Sequence, residues 1–178
     1  MVEKSASRRL FFAFWPDDSI REALAHATRK AARASGGRPV PPANLHATVV
    51  FLGSVAEDRL ASVIAIVGEL RYPPLRLKFD RLEHWAKAAV LCLGCSQPQV
   101  AASVLATSLS KLLINQGFAP DPKPYRPHVT IARKVARPHE IGPVHAIEWP
   151  IDEIALMEST TAPEGPHYSV LKQWPLRG

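Results

Sequence analysis

Two short strings in this chain bring together residue types that can do chemistry as a pair. They are His46-Ala47-Thr48 and His128-Val129-Thr130. In an extended strand residues i and i+2 point the same way, so each histidine shares a face with its threonine. Two imidazoles and two hydroxyls converging on one cleft suit phosphodiester chemistry. A neutral histidine takes a proton from water or a hydroxyl, and a protonated one delivers a proton to the leaving oxygen. Histidine is the side chain whose ordinary pKa lets both forms coexist near neutrality. The hydroxyls of Thr48 and Thr130 can donate to non-bridging phosphate oxygens. Arg133, three residues past Thr130, can supply charge to a dianionic pentacoordinate phosphorus. The scheme needs no metal. A single His-x-Thr string is more often structural; the weight here comes from the second copy in a matching place.

The elements that must position these strings repeat in the two halves. Leu10 to Phe14 reads as a buried strand, and Pro16-Asp17-Asp18 as a turn and helix cap. A helix is predicted from Ser19 to Ala34, with Ile20, Leu24 and Ala27 on one face, stopped by Gly36-Gly37. The Pro-rich connector Arg38 to Asn44 leads into a strand, Leu45 to Leu52, closed by Gly53. The second half reads as a strand (Ala88 to Leu93) and then a helix to Asn115. That helix is opened by a Ser96/Gln99 capping box, with Val100, Val104, Leu105, Leu109, Leu112 and Leu113 on its core face. Another Pro-rich connector follows, then the strand Pro127 to Ala132. Between the halves lie an amphipathic helix, roughly Glu57 to Leu70, and one strand, Leu75 to Leu82. Strands Ile151 to Met157 and Tyr168 to Leu171 complete the chain. Two similar lobes would face each other across a pseudo-two-fold axis. Leu45, Ala47, Val49 and Phe51, and in the other lobe Val129 and Ile131, would pack inward. Strand alternation by itself places Arg133 off the His128/Thr130 face.

Composition sets the frame. The chain has 178 residues, 47% hydrophobic and 21% charged, which excludes a disordered chain, a collagen-like repeat and a long coiled coil. The length suits one domain of two small lobes. The 17 prolines read as stiff connectors between short elements. A net charge of +6 favours anionic partners, and the stretch from Lys123 to Pro138 holds Lys123, Arg126, Arg133, Lys134 and Arg137 without one acid. No apolar run is long enough to span a membrane, and two cysteines cannot make a disulfide framework, so a reducing cytoplasm is expected.

The string Asn44-Leu45-His46-Ala47-Thr48, leading into Phe51-Leu52-Gly53, resembles one signature of the 2H phosphoesterase superfamily. The string Tyr125-Arg126-Pro127-His128-Val129-Thr130-Ile131-Ala132-Arg133 resembles its second signature. Within it the chain is most similar to the RNA 2′,3′-cyclic phosphodiesterases, also called 2′-5′ RNA ligases. Arg9 to Ala13, Val90 to Gly94 and Tyr168 to Trp174 resemble that family as well. The resemblance implies an α+β bilobal fold, residues 1–178 as one domain, with antiparallel sheets lining a central cleft and helices outside. It implies hydrolysis of an RNA end or small cyclic nucleotide to a 2′-phosphate, with no cofactor, by a monomer. It makes His46 the proton donor and His128 the acceptor, with Thr48, Thr130 and Arg133 holding the phosphate. Ligation would be a reversal of the same chemistry.

Other candidates weigh less. Cys92-Leu93-Gly94-Cys95 stands where a redox CxxC would stand, but Cys92 falls inside an apolar strand, and two ordinary thiols are expected. His26, His84, His139 and His145 have no partners at ligand spacing. His167 lies in a turn, Gly165 to Tyr168, that could close over the cleft. Phe14, Trp15 and Tyr125 could stack on a base, with core packing as the expected role for most of them. Two rival functions remain in view. One is a non-catalytic nucleotide or RNA-end binding module of the same fold. The other is a metal-dependent hydrolase, which lacks an acid close to either histidine.

Overall fold

A computed structural model describes residues 6–137, 142–163 and 165–178. Three α-helices and ten strands are found among them: β1 (Ser7–Phe14), α1 (Asp18–Ala34), β2 (Arg38–Pro39), β3 (Ala47–Ala56), α2 (Leu60–Gly68), β4 (Leu75–Phe79), β5 (Arg81–Trp85), β6 (Val90–Gly94), α3 (Val100–Asn115), β7 (His128–Arg133), β8 (Ile147–Ile151), β9 (Glu153–Ala162) and β10 (Gly165–Pro175). One sheet has the order β10-β9-β1-β3, a second β2-β7-β6-β5, and β4 pairs with β8; all pairings are antiparallel. The fold is α+β, as expected.

The repeat read from the sequence is present. In each half a strand, a helix and a returning antiparallel strand follow one another: β1-α1-β3 and β6-α3-β7. The sheets approach each other where β3 meets β7. Each helix packs across that junction. α1 lies against β7, and α3 lies against β3. The exchange ties the halves into one apolar cluster, with Phe12, Phe14 and Leu24 of the first half beside Leu93, Leu109 and Val129 of the second. Each such fully buried side chain contributes about 1.5–3 kcal/mol.

Several expected boundaries move, for identifiable reasons. The single strand Leu75 to Leu82 is two strands in different sheets, broken at Asp80, whose carboxylate accepts from the Ser96 amide at 2.7 Å and its hydroxyl at 2.8 Å. Ser96 is therefore occupied, no capping box forms, and α3 starts at Val100 without a side-chain cap. The face of α3 is also rotated from expectation. Ala102, Leu105, Ala106, Leu109 and Leu113 are buried, whereas Val100, Val104 and Ile114 are 69%, 48% and 57% exposed. The strand expected from Ile151 to Met157 is likewise split, at Asp152, between β8 and β9. The helix over Glu57 to Leu70 opens as a 3₁₀ turn, Glu57–Arg59, and ends at Gly68. Gly53 does not close its strand. With φ +72° it sits in a bulge, and β3 continues to Ala56.

Candidate active site

His46 lies just before the first paired residue of β3, not within the strand as expected. A 3₁₀ turn, Pro42–Asn44, places it there. The His46 Nδ1–H donates to the Asn44 carbonyl at 2.8 Å, and the Asn44 side-chain amide donates to the Pro166 carbonyl at 2.9 Å. His128 opens β7 and repeats the device: its Nδ1–H donates to the Arg126 carbonyl at 2.8 Å. Anchoring Nδ1 on a carbonyl in both rings leaves both Nε2 atoms for chemistry. The Thr48 hydroxyl is 3.1 Å from His46 Nε2, and the Thr130 hydroxyl lies 3.8 Å from the Cys92 sulfur.

Both strands carry a bulge at the residue after the threonine. In β3, Thr48 pairs with Ala13 and Val50 with Phe12, leaving Val49 extra. In β7, Thr130 pairs with Cys92 and Ala132 with Leu91, leaving Ile131 extra. An extra residue flips the alternation that follows it. Phe51 therefore does not pack inward as expected; it joins Phe11 in a second apolar cluster that also takes in Trp15 and Tyr168. By the same flip Arg133, an odd number of residues past Thr130, returns to the face of His128 and Thr130, and its positive charge acts on both histidines. Gly37 lets this end of β7 be held closely. A Cβ there would sit 2.4 Å from the Arg133 carbonyl oxygen, so no other residue fits without moving the backbone.

The two rings differ in their surroundings. Phe11, Trp15 and Tyr168 surround His46, with centroids 5.2, 5.8 and 4.9 Å away. This burial, with the charges of Arg133, His128 and Arg21, outweighs the Asn44 hydrogen bond and lowers the His46 pKa from 6.5 to about 4. His128 packs against Trp85 at 4.3 Å. Burial lowers its pKa too, helped by Arg126 and Arg133 and opposed by the Arg126 carbonyl and Glu83. Glu83 is the hub of this side. It accepts from Trp85 Nε1 at 2.9 Å and Arg126 at 2.7 Å, and pairs with Arg81. Burial alone would raise its pKa; those donors hold it below the usual carboxylate range.

Of the five residues singled out for the site, Thr48 and His128 line one cavity of about 840 Å³; His46, Thr130 and Arg133 do not line it, though the charges of Arg133 and His128 reach His46. Asn44, Glu83, Trp85, Phe11 and the backbone carbonyl of Arg126 were not foreseen. Gly165 to Tyr168, expected as a turn that could close over the cleft, is instead the paired start of β10; the ring there that meets His46 is that of Tyr168, and His167 is exposed. Phe14 is core, Trp15 stacks on His46, and Tyr125 is half-buried. The His84 Nε2–H donates to the Val135 carbonyl at 2.8 Å, His26 and His145 are exposed, and His139 lies outside the described residues. Burial pushes the thiols of Cys92 and Cys95 up to about 11 and about 12, so neither is a thiolate at neutral pH. Among the described residues no three His, Cys, Asp or Glu side chains gather as a metal site, and no helix is long and apolar enough to cross a membrane.

Paired imidazoles anchored through Nδ1, hydroxyl donors and a guanidinium can bind an oxyanion and move protons at its two ends. The family model described as LigT like Phosphoesterase matches residues 14–91. A relative from Thermus thermophilus named RNA 2′,3′-cyclic phosphodiesterase is 31% identical over 180 residues, covering 96% of this chain and 91% of its own. One of the same name from Escherichia coli is 31% identical over 174 residues, covering 97% and 98%. The crystal structure of E. coli LigT complexed with 3′-AMP matches with a TM-score of 0.87 at 31% identity, covering 96% of this chain and 99% of that one. Fold and matches together define the class, a phosphoesterase. The chain belongs to the LigT-like phosphoesterase family.

Proposed function

We propose that this protein hydrolyses a nucleoside or RNA 2′,3′-cyclic phosphate to the 2′-phosphate, using His46 and His128 as an acid-base pair and no cofactor. The observation that carries the reading is the doubled device: two imidazoles anchored through Nδ1, each with a threonine hydroxyl two residues on. Relatives named RNA 2′,3′-cyclic phosphodiesterase and a related structure holding 3′-AMP support the substrate class.

In this mechanism the cyclic phosphate sits between the rings. Thr48 and Thr130 donate to its non-bridging oxygens, and Arg133 balances the charge that grows on phosphorus. Neutral His128 takes a proton from water through Nε2 as the water oxygen bonds to phosphorus. Protonated His46 delivers its Nε2 proton to O3′ as the P–O3′ bond breaks. His46 is neutral in the free protein because it is buried against aromatic rings, so the anionic substrate must raise its pKa on binding. A 5′-hydroxyl in place of water would give the 2′-5′ link by the same proton transfers. The unpaired thiols fit a reducing cytoplasm, and the proposal takes residues 1–178 as one bilobal monomeric unit.

The test is incubation of the purified protein with the four nucleoside 2′,3′-cyclic phosphates in EDTA, with product read by phosphorus NMR. A 2′-phosphate product supports the proposal. A 3′-phosphate product, or no turnover, overturns it.

A further inference from the structure

We propose that two adjoining grooves leading away from the histidine pair form a track for the nucleotides preceding the terminal cyclic phosphate of a single-stranded RNA. This rests on the function proposed above and goes further, because it makes an oligonucleotide rather than a mononucleotide the preferred substrate. The first groove, about 840 Å³, starts at Thr48 and His128 and runs along α3 to Ile114. The second, about 740 Å³, continues toward the start of α3, past Val104 to Val100. They share Trp85, Lys111 and Arg126 as common walls. Each is large enough for one drug-sized ligand, so together they exceed what a mononucleotide fills.

Charge and surface character point to the occupant. The grooves hold four cations, Arg81, Lys111, Lys123 and Arg126, against two acids. Asp121 is taken by Lys123, and Glu83 is shared by Arg81 and Arg126. The Lys111 side chain is exposed, and no hydrogen bond or ion pair joins it to any described residue. The track is therefore net positive, as a phosphate backbone requires. Between the cations lies the stripe of α3 that the core does not use, Val100, Val104 and Ile114. Sugar and base faces can cover such apolar groups without reading sequence. Continuity with the site that turns over a ribose phosphate favours RNA over an acidic peptide.

The test compares 2′,3′-cyclic AMP with oligoribonucleotides of increasing length ending in 2′,3′-cyclic phosphate. It uses wild type, Lys111→Glu and Lys111→Arg, with far-UV spectra confirming folding. For wild type, kcat/KM rises about tenfold or more from mononucleotide to oligonucleotide. Lys111→Glu removes most of that gain, leaves the mononucleotide within about twofold, and lowers the salt dependence by about one phosphate contact. Lys111→Arg keeps the gain. A length-independent kcat/KM, or an oligonucleotide gain untouched by Lys111→Glu, overturns the track. Fluorescence anisotropy of a labelled oligoribonucleotide ending in a 3′-phosphate separates this failure from failure of the proposed reaction. Weaker binding by Lys111→Glu in a protein that cleaves nothing supports the track and sinks only the reaction. Equal displacement of that RNA by a polyglutamate peptide overturns the choice of RNA.

Discussion

Replacing His46 by Gln should flatten the acid dependence of stability, because folding keeps His46 from charging. Its pKa is about 4 in the folded protein, against an ordinary value of 6.5. Between those values the unfolded chain binds a proton that the folded protein does not. Stability is therefore intact above pH 6.5 and is lost as pH falls toward 4. The full shift corresponds to about 3.4 kcal/mol, and at pH 4.5 about 2.5 kcal/mol of it has been lost. The ring keeps some contact with the cleft, which trims the expected figure to about 2 kcal/mol. The assay is urea unfolding of wild type and His46→Gln at pH 7 and pH 4.5. Carboxylates and His128 titrate in both proteins and cancel in the comparison. Wild type should lose about 2 kcal/mol more than the variant on acidification. If the two losses agree within about 0.5 kcal/mol, the aromatic enclosure of His46 does not hold it neutral and the reasoning fails.

Three further outcomes are expected. With both histidine pKa values lowered in the free protein, kcat/KM should peak below pH 6.5, while kcat, which reports the complex, should peak at higher pH because the bound anion raises both; a kcat/KM optimum above about pH 7.5 contradicts this. Arg133→Ala should lower kcat/KM for all four cyclic mononucleotides alike, by about 10- to 100-fold as for a hydrogen bond to a charged group, and Arg133→Lys should recover part of it; a loss confined to one base would refute the phosphate role. Glu83→Gln should lower kcat about 3- to 10-fold and move the limb of the pH profile set by His128 to lower pH, since Glu83 is the acid that raises His128; an unmoved limb would make Glu83 merely structural.

The doubled His-x-Thr and the strand-helix-strand repeat around it were legible because they are local patterns. Their consequences were not all local. Arg133 and Phe51 were misplaced by simple alternation because nothing in Thr48-Val49-Val50 or Thr130-Ile131-Ala132 announces a bulge; an extra residue is defined only against a partner strand. The split at Asp80 was hidden because Leu75 to Leu82 alternates without a break. It is a long-range bond to Ser96 that turns the chain and at the same time removes the capping box. The rotation of α3 has a similar cause. Val100 and Val104 read as core by period, but Ala102 and Ala106 allow closer approach, and they are the residues buried. The aromatic surroundings of His46 come from β1, the turn after it and β10, a convergence that no single window of sequence contains.

Turnover of a nucleoside 2′,3′-cyclic phosphate by His46→Ala and His128→Ala, each shown folded by far-UV spectra, tests the paired-histidine account most directly. Each variant should lose about 10²- to 10⁴-fold in rate, since neither imidazole can stand in for the other. Turnover close to wild type by either one would contradict the account.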